Sequence, residues 1–366
     1  MKKTTLLKNI FALLFLFSAF SLFAQERIAV INGGKVKLLD PDNGAIIDPS
    51  FISLNGGTPK ALAQVDDEIW ITYQLGDIIE RYDLNGTFLS SIDSGLDNIR
   101  GINIVNGEVW VCNSGTNNGA PGDAIVRFDF EGNNLGFFLT TPESESPFDV
   151  IDAGSGEVYI SYSGTDNIER RDYTGAFLGN IVDSGVVNFI QQIAIEEPDM
   201  ILAAVFSTIS GGNQNGLYRF SETDGSILDY WSLGNLRGVA TLDNGEILWA
   251  SAAGVSRLDP NTGVSVLISG GNSHYFGRLD FNTVGVDEFN EDNFSFYPNP
   301  TQGLLNLKYS ADISEITVRN VLGQQLFEAY PQSKEAAIDI STLPVGTYLV
   351  TIYSSSTSKT IRIVKE

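Results

Sequence analysis

Cysteine and histidine are almost absent from this chain. Its 366 residues include one cysteine, Cys112, and one histidine, His274. A single cysteine excludes an intramolecular disulfide, and a single histidine excludes a multi-histidine metal site and leaves little material for a catalytic pair with serine or cysteine. We therefore predict no catalytic residue, no metal site and no cofactor, and we interpret both residues as parts of strands.

Basic residues are scarce as well. The chain has 22 Lys and Arg against 45 Asp and Glu, a formal net charge of −23. Such an excess of negative charge repels nucleic acid and anionic membrane surfaces, so we expect neither as a partner. Aromatic residues make up 11% of the chain and there are 37 glycines. This composition is typical of twisted β-sheets joined by tight turns, and it favours an all-β protein.

A long apolar run occurs only at the N-terminus. The basic segment MKKTTLLKN precedes a largely apolar stretch of 14 residues, Ile10–Phe23, which is followed by Ala24. The stretch is too short to cross a hydrocarbon core of about 30 Å as a helix. We therefore predict a signal peptide over residues 1–24 and no transmembrane segment.

The rest of the chain up to about residue 285 contains a repeat. Each copy has an acidic residue before an alternating apolar strand, as in Glu68–Ile71, and later a basic residue, an Asp and a Gly, as in RYDLNG from Arg81. The repeated Asp falls at positions 40, 83, 129, 172 and 259, with Ser221 in the fifth copy. The Gly-containing turns predict hairpins, and units this small must stack as a propeller or a solenoid.

The two ends of the repeat region distinguish these architectures. Copies two to six have an apolar strand before the acidic phrase, the first copy lacks it, and an unassigned strand at Tyr275–Phe281 follows the last copy. A missing strand at one end and a spare strand at the other predict a closed ring without free sheet edges. We therefore predict a six-bladed β-propeller over residues 25–285. In periodicity and turn chemistry it resembles NHL-repeat and related six-bladed propellers.

The chain changes character after the repeats. Residues 286–291 belong to a polar, acidic stretch that we interpret as a linker. Residues 25–291 carry a net charge of −25, whereas residues 292–366 carry −1. This break predicts a domain boundary, and about seven short strands beyond it indicate a small Ig-like β-sandwich.

The C-terminal segment also carries several ordered motifs. FYPNP with a following glycine comes first, then VLGQ, then LPVGTYLV, and last a strand that ends in a lysine. In this order they resemble the C-terminal sorting domain of type IX secretion cargo, over residues 292–366. The residues that carry the resemblance are Tyr297, Pro298, Asn299, Pro300, Gly303, Gly323, Leu343, Pro344, Gly346 and Tyr348.

The resemblance also implies the export route of the protein. It implies a Bacteroidetes-like host, export through the periplasm, and recognition by the type IX outer-membrane translocon and its sortase machinery. It further implies a final location at the cell surface or outside the cell, with removal of the sorting domain near residues 287–293.

Three basic residues, Lys60, Arg100 and Arg237, hold equivalent places on the predicted inner strands. Inner strands border the central channel, so these cations are expected to form a ring that binds a carboxylate or sulfate group. We predict an anionic saccharide or similar acid as ligand, with Arg100 and Arg237 as its main contacts, and a protein ligand as the other choice. In the alternative interpretation each cation pairs with a local acid, for which Asp97 and Asp149 are the candidates.

A non-catalytic exported binding protein is the function that the sequence favours, because no nucleophile, base or metal cluster can be assembled from the repeats. The alternative is a propeller enzyme, either a lactonase-like hydrolase or a polysaccharide lyase. A calcium lactonase needs Glu, Asn and Asp on the inner strands, where this sequence has Lys60, Arg100, Phe148, Gln191 and Arg237. The repeated Asp residues are interpreted as turn formers that accept hydrogen bonds from backbone amides.

Overall fold

The computed structural model describes residues 26–281, 294–320, 324–354 and 357–366. These residues form 31 β-strands and one 3₁₀ turn at Asn117–Gly119, and among them no helix is long and apolar enough to cross a membrane. The predicted signal peptide, the predicted linker at residues 286–291 and Gly323 lie outside the described residues. The all-β class is confirmed.

Residues 26–281 contribute 24 strands, which are arranged in six antiparallel sheets of four strands each. The strands are β1 (Glu26–Asn32), β2 (Lys35–Leu39), β3 (Ile46–Ser53), β4 (Pro59–Val65), β5 (Glu68–Tyr73), β6 (Ile78–Asp83), β7 (Phe88–Ile92), β8 (Ile102–Val105), β9 (Glu108–Asn113), β10 (Ala124–Phe128), β11 (Asn134–Leu139), β12 (Pro147–Gly154), β13 (Glu157–Tyr162), β14 (Ile168–Asp172), β15 (Phe177–Val182), β16 (Asn188–Glu196), β17 (Met200–Ser207), β18 (Gly216–Ser221), β19 (Ile227–Trp231), β20 (Gly238–Thr241), β21 (Ile247–Ser251), β22 (Gly254–Leu258), β23 (Ser265–Gly270) and β24 (Ser273–Asp280).

The sheets form a closed ring. Blades 2 to 6 consist of consecutive strands, β4–β7, β8–β11, β12–β15, β16–β19 and β20–β23, whereas blade 1 has the order β24–β1–β2–β3. The first strand of each blade in these orders contacts the corresponding strands of both neighbouring blades, so these six strands line the axis. The last strand, β24, thus completes the blade that begins the chain. The predicted six-bladed propeller, closed by its C-terminal strand, is confirmed.

The blades are held together by apolar seams between neighbouring sheets. The second strands are the most deeply buried, and Trp70 and Trp110 on two of them are at most 1% exposed. Cys112 lies fully buried in β9, and His274 lies on β24 with 8% of its surface exposed. The outer strands β7 and β19, by contrast, are largely exposed. Alternating apolar residues therefore bury the inner three strands of each blade.

The two repeated phrases of the sequence meet within each blade. The Arg81 guanidinium of β6 forms an ion pair of 2.6 Å with Glu68 at the start of β5, and the same pairing joins Arg127 to Glu108 and Arg257 to Glu246. The carboxylate of Asp83 accepts hydrogen bonds from the amides of Asn85 and Thr87 at 2.9 and 2.7 Å. The repeated charges thus hold strands and turns in place.

The C-terminal segment is a sandwich of two sheets. Its strands are β25 (Ser295–Tyr297), β26 (Leu304–Ile313), β27 (Glu315–Asn320), β28 (Gln325–Ala329), β29 (Ser333–Asp339), β30 (Gly346–Ser354) and β31 (Thr357–Lys365). One sheet has the order β25–β26–β29 and the other β28–β27–β30–β31. Leu305, Val318 and Ile363 are fully buried between them. The predicted Ig-like sandwich is confirmed.

Candidate functional site

One residue from each blade lies near the start of its inner strand, where the strand meets the channel. Strand registers and the contacts between neighbouring inner strands place these six residues at equivalent positions. They are Lys60, Arg100, Phe148, Gln191, Arg237 and His274. The three cations predicted from the sequence therefore do come together, and we refer to Lys60, Arg100 and Arg237 as the cation cluster.

Lys60 is the most enclosed member of the cation cluster. Only 5% of its surface is exposed, and its ammonium donates a hydrogen bond of 3.2 Å to Gln191 Oε1. The same nitrogen lies 4.8 Å from the ring centre of Phe148 and 5.3 Å from that of Tyr275. Burial, followed by the positive charges of Arg237 and Arg100, lowers the pKa of Lys60 to about 7. Lys60 is thus a buried amine whose protonated form is disfavoured by its surroundings.

Arg100 is buried among neutral partners. Its guanidinium donates to Ser114 Oγ at 2.7 Å, to Ser146 Oγ at 3.2 Å and to the Pro147 carbonyl at 3.2 Å. The group stacks 4.4 Å from the centre of the Phe148 ring, and within the described residues its Nε has no hydrogen-bond partner. Burial lowers the pKa of Arg100. The Nε atom is therefore a buried donor without a partner among the described residues.

Arg237 is only half-buried, so it is the member of the cluster nearest to solvent. Its guanidinium donates to the side-chain oxygen of Asn272 and lies 5.9 Å from the Phe206 ring centre. In the described parts of the chain none of the three cations forms an ion pair within 4.0 Å. The carboxylates of Asp97 and Asp149 accept hydrogen bonds from backbone amides instead. Asp97 and Asp149 therefore form no direct ion pair with the cluster among the described residues, although the negative charge of Asp149 acts on Lys60 and opposes the lowering of its pKa.

Three phenylalanines join the two arginines. Phe148 and Phe189 pack edge to face with ring centres 5.2 Å apart, and Phe189 packs in the same way on Phe206 at 5.3 Å. Phe189 has a φ of +59°, a left-handed conformation that is strained for a bulky residue. Its amide donates a hydrogen bond of 2.7 Å to the Asp166 carboxylate, which helps to hold this conformation. The aromatic chain therefore runs from Arg100 to Arg237.

Sequence reasoning missed Phe189 and Phe206. Phe206 lies near the end of β17, at a position where three other copies of the repeat have polar residues, Gln74, Ser114 and Ser163. This departure from the repeat is the signal that could have found it. The position of Phe189 has no comparable signal, because it depends on the unusual backbone conformation of this residue.

An axial cavity of about 440 Å³ occupies the other part of the channel. It is walled mainly by apolar side chains of all six inner strands, including Leu62, Ile102, Ile193, Val239 and Phe276. Wall residues late in the inner strands, such as Ile104 and Thr241, are half-buried, whereas Asp149 and Tyr275 near the strand starts are buried. The cavity therefore opens where the inner strands end and closes towards the cation cluster.

The sorting motif forms a structural unit in the C-terminal sandwich. Asn299 binds the last strand twice, because its amide nitrogen donates to the Arg362 carbonyl at 3.1 Å and its oxygen accepts from the Val364 amide at 2.8 Å. Thr301, next to Pro300, adds a hydrogen bond from its amide to the Val364 carbonyl at 2.8 Å and accepts one from the Glu366 amide at 2.9 Å. The loop at Pro298 therefore fastens the C-terminus.

The remaining motif residues stabilise the same sandwich. The hydroxyl of the buried Tyr348 donates to the Pro344 carbonyl at 2.7 Å, and Leu343 packs against the core. Gly303 has a φ of +147°, and a Cβ there would lie 2.7 Å from the side chain of Ser341. Gly346 begins β30, and Tyr297, at the end of β25, is 58% exposed. Tyr297 is thus the exposed aromatic residue of the motif.

Comparison with known proteins agrees with both parts of the fold. Residues 295–366 match the family described as the secretion system C-terminal sorting domain. The chain is similar to one in the crystal structure of a nidogen/laminin complex, with a TM-score of 0.57 and 13% identity over 69% of this chain and 98% of that one. A protein of unknown function from Bacteroides caccae gives a TM-score of 0.52 and 15% identity over the same shares. No curated protein matches significantly.

These similarities show the fold of the propeller and the identity of the C-terminal domain. At these identities the likeness to solved structures shows the propeller fold alone. The family match shows that residues 295–366 are a type IX secretion sorting domain, so the protein is a type IX secreted β-propeller protein. A sorting domain of this kind implies export to the cell surface or to the outside of the cell.

Proposed function

We propose that this protein is a non-catalytic binding protein whose propeller binds an acidic saccharide, with Arg100 and Arg237 as the main contacts. One observation carries the proposal. Two guanidinium groups without an acidic partner in the described residues stand at the two ends of a chain of three phenylalanines.

The charge of the cation cluster supports an anionic ligand. Charged side chains are seldom buried without an opposite charge, because removing them from water is costly. Arg100 is 7% exposed and has only neutral partners, although the chain has 45 acidic residues. A carboxylate or sulfate group would accept charge-assisted hydrogen bonds from the guanidinium groups of Arg100 and Arg237.

The aromatic chain supports a ring next to that anionic group. Phe189 and Phe206 are both half-buried, so part of each ring remains accessible. The faces of aromatic rings are electron-rich and attract the C–H groups of a saccharide ring. The strained backbone of Phe189 is held by Asp166, and strain of this kind is concentrated at binding sites. An acidic sugar combines both features that this surface recognises.

Export supports a ligand outside the cell. The sorting domain directs the propeller to the surface or the medium, where acidic polysaccharides such as uronic-acid polymers would be met directly. The propeller itself is strongly acidic, so its overall charge does not attract anions from a distance. The cation cluster is a local exception, and it would favour an anionic ligand only at short range.

The proposal is tested with the purified exported protein. Glucuronate, galacturonate and a sulfated monosaccharide are titrated by calorimetry, with glucose as the neutral control. We expect the double variant Arg100→Ala, Arg237→Ala to bind the acids at least about tenfold more weakly than the parent, as for arginine hot spots.

The matched control replaces two arginines that do have acidic partners, Arg127 and Arg257. We expect Arg127→Ala, Arg257→Ala to bind as the parent does. Arg100→Lys keeps the charge but loses the planar fork, and it shows whether the site needs the guanidinium. Equal binding of glucose and glucuronate by the parent would contradict the proposal, as would unchanged binding in the Arg100→Ala, Arg237→Ala protein.

A further inference from the structure

We propose that the axial cavity is a second binding site, which takes a small organic cation consisting of a primary ammonium group on an apolar body. The cavity lies beyond the cation cluster, and its ligand has the opposite charge to the one proposed above. Three features of the described residues lead to this inference: the apolar wall, the buried carboxylate at the closed end and the acidic turns around the opening.

The wall provides room for an apolar body. The volume of about 440 Å³ falls within the range of small-molecule sites, which are mostly apolar with a few polar groups. Alanines at positions 61, 63, 194 and 240 leave space where larger side chains would fill the channel. Ile104 and Ile195 near the opening are half-buried, so apolar surface is left in contact with solvent. A ligand that covers this surface gains hydrophobic free energy.

The closed end provides an acceptor for the ammonium group. Asp149 lines the cavity with 4% of its surface exposed, and its Oδ2 accepts a hydrogen bond of 3.0 Å from the Ile193 amide. Its carboxylate lies in no ion pair within 4.0 Å among the described residues. Tyr275 also lines the cavity, and its hydroxyl has no hydrogen-bond partner in the described part of the protein. An ammonium group offers three donors to these oxygens.

The opening favours entry of a cation. The turns between the first and second strands of the blades lie at this end, and they carry the exposed carboxylates of Asp66, Asp67, Glu197 and Asp199. Arg278, a basic wall residue, is paired with Glu26 at 2.7 Å and with Asp243 at 3.0 Å. Acidic groups around an apolar cavity concentrate positive ligands at its entrance.

The groups around Asp149 determine the conditions of the test. Lys60 and His274 lie on the side of the cation cluster and do not line the cavity. Burial raises the pKa of Asp149 to about 7, while hydrogen bonds from the Ile193 and Val150 amides and the charge of Lys60 oppose this rise. Measurements at about pH 8 therefore keep the carboxylate ionised and an alkylamine protonated.

The experiment compares three probes that share one apolar body and differ in the head group: hexylamine, hexanol and hexanoate. Binding to the full exported chain is measured by calorimetry at about pH 8. We expect the amine to bind at least about tenfold more tightly than the alcohol and the carboxylate to bind most weakly. An amine that binds no better than the alcohol, or no binding of any probe, overturns the proposal.

Three variants locate the site. Asp149→Asn keeps an acceptor for the Ile193 amide but removes the charge, so we expect hexanol to bind as before and the preference for the amine to disappear. Ala240→Leu fills the wall and should weaken all three probes, whereas Ala252→Leu on an exposed turn should weaken none. A preference for the amine that survives Asp149→Asn, or binding that Ala240→Leu leaves unchanged, overturns the assignment. Thermal melts of each variant confirm that it is folded.

Discussion

Val30 and Phe276 lie opposite each other in one antiparallel sheet, although they belong to the first and the last strand of the propeller. This pairing places β24 between the rest of blade 1 and the channel, and it removes the free edges that an open array of sheets would expose. The stability of the whole ring therefore depends on the close packing of one strand from the end of the repeat region.

Ring closure predicts a strong effect at Gly277. A Cβ at this position would lie 2.6 Å from a methyl group of Leu62 and 2.8 Å from its carbonyl oxygen, in the neighbouring blade. We expect Gly277→Ala to destabilise the propeller by about 1–3 kcal/mol through overpacking. At Gly270 the nearest atom would be 4.0 Å away, so Gly270→Ala is the matched control. Chemical denaturation measures both, and equal stabilities would contradict the close packing of β24.

Two adjacent arginines of β14 predict opposite outcomes. Arg171 and Glu169 form an ion pair of 2.7 Å with side-chain exposures of 4% and 0%, whereas Arg170 and Glu157 are 3.8 Å apart and each 36% exposed. Arg171→Met leaves a buried carboxylate unpaired and should cost about 3–5 kcal/mol. Arg170→Met should cost at most about 1 kcal/mol. Urea denaturation of the two variants measures the difference, and a similar loss in both would refute this assignment.

Asp149 predicts a pH-dependent stability. Burial raises its pKa from the ordinary 3.8 to about 7, so the folded protein retains a proton that the unfolded chain has lost between these values. The parent therefore loses stability as pH rises through this interval, by about 1.4 kcal/mol for each unit of pKa shift. The Asp149→Asn variant does not lose stability in this way, because asparagine does not titrate.

The measurement is the difference in stability between the parent and Asp149→Asn at several pH values from about 4 to 7. We expect the stability of the variant to rise relative to that of the parent as pH increases. His274 titrates in the opposite direction, because burial lowers its pKa to about 3, but it is present in both proteins and cancels in the difference. A difference that stays constant with pH would contradict the raised pKa of Asp149.

The two hydrogen bonds that Asn299 forms with β31, which we call the Asn299 clamp, predict a defect in the sorting domain when they are removed. Asn299→Ala removes two hydrogen bonds to β31 and should destabilise the sandwich by about 1–3 kcal/mol. In a host with type IX secretion we expect less protein outside the cell and more in the periplasm. Asn306→Ala is the control, because Asn306 makes a single side-chain bond of 3.3 Å to the Tyr297 carbonyl. Equal secretion of both variants would show that the clamp has no role in export.

We expect deletion of residues 292–366 to abolish sorting but not folding of the propeller. The propeller has its own closed ring and apolar seams, so we expect the shortened protein to fold and to remain in the periplasm. Cell fractionation and intact mass of each fraction give the result. Recovery of the shortened protein from the medium would contradict the need for the sorting domain in export.

The local repeats account for how much of the fold could be predicted. Turns such as Asp83 to Gly86 depend on neighbouring residues, and alternating strands need only one apolar face, so both are visible in a short stretch of sequence. Counting the inner strands at the two ends was then enough to predict closure. The pairing of Arg81 with Glu68 was not foreseen, because it depends on the register of β5 and β6.

The sequence by itself determined the β-propeller, the sandwich and the sorting motif, because each of them depends on turn residues, strand alternation and residue order that are visible in short stretches of the chain. It also determined that Lys60, Arg100 and Arg237 occupy equivalent positions. Only the tertiary structure decided that these cations have neutral partners, that Phe189 and Phe206 connect two of them, and that Asp149 closes an axial cavity. Those relationships arise from the way six blades converge on one axis, and such convergence brings together residues that are distant in the chain.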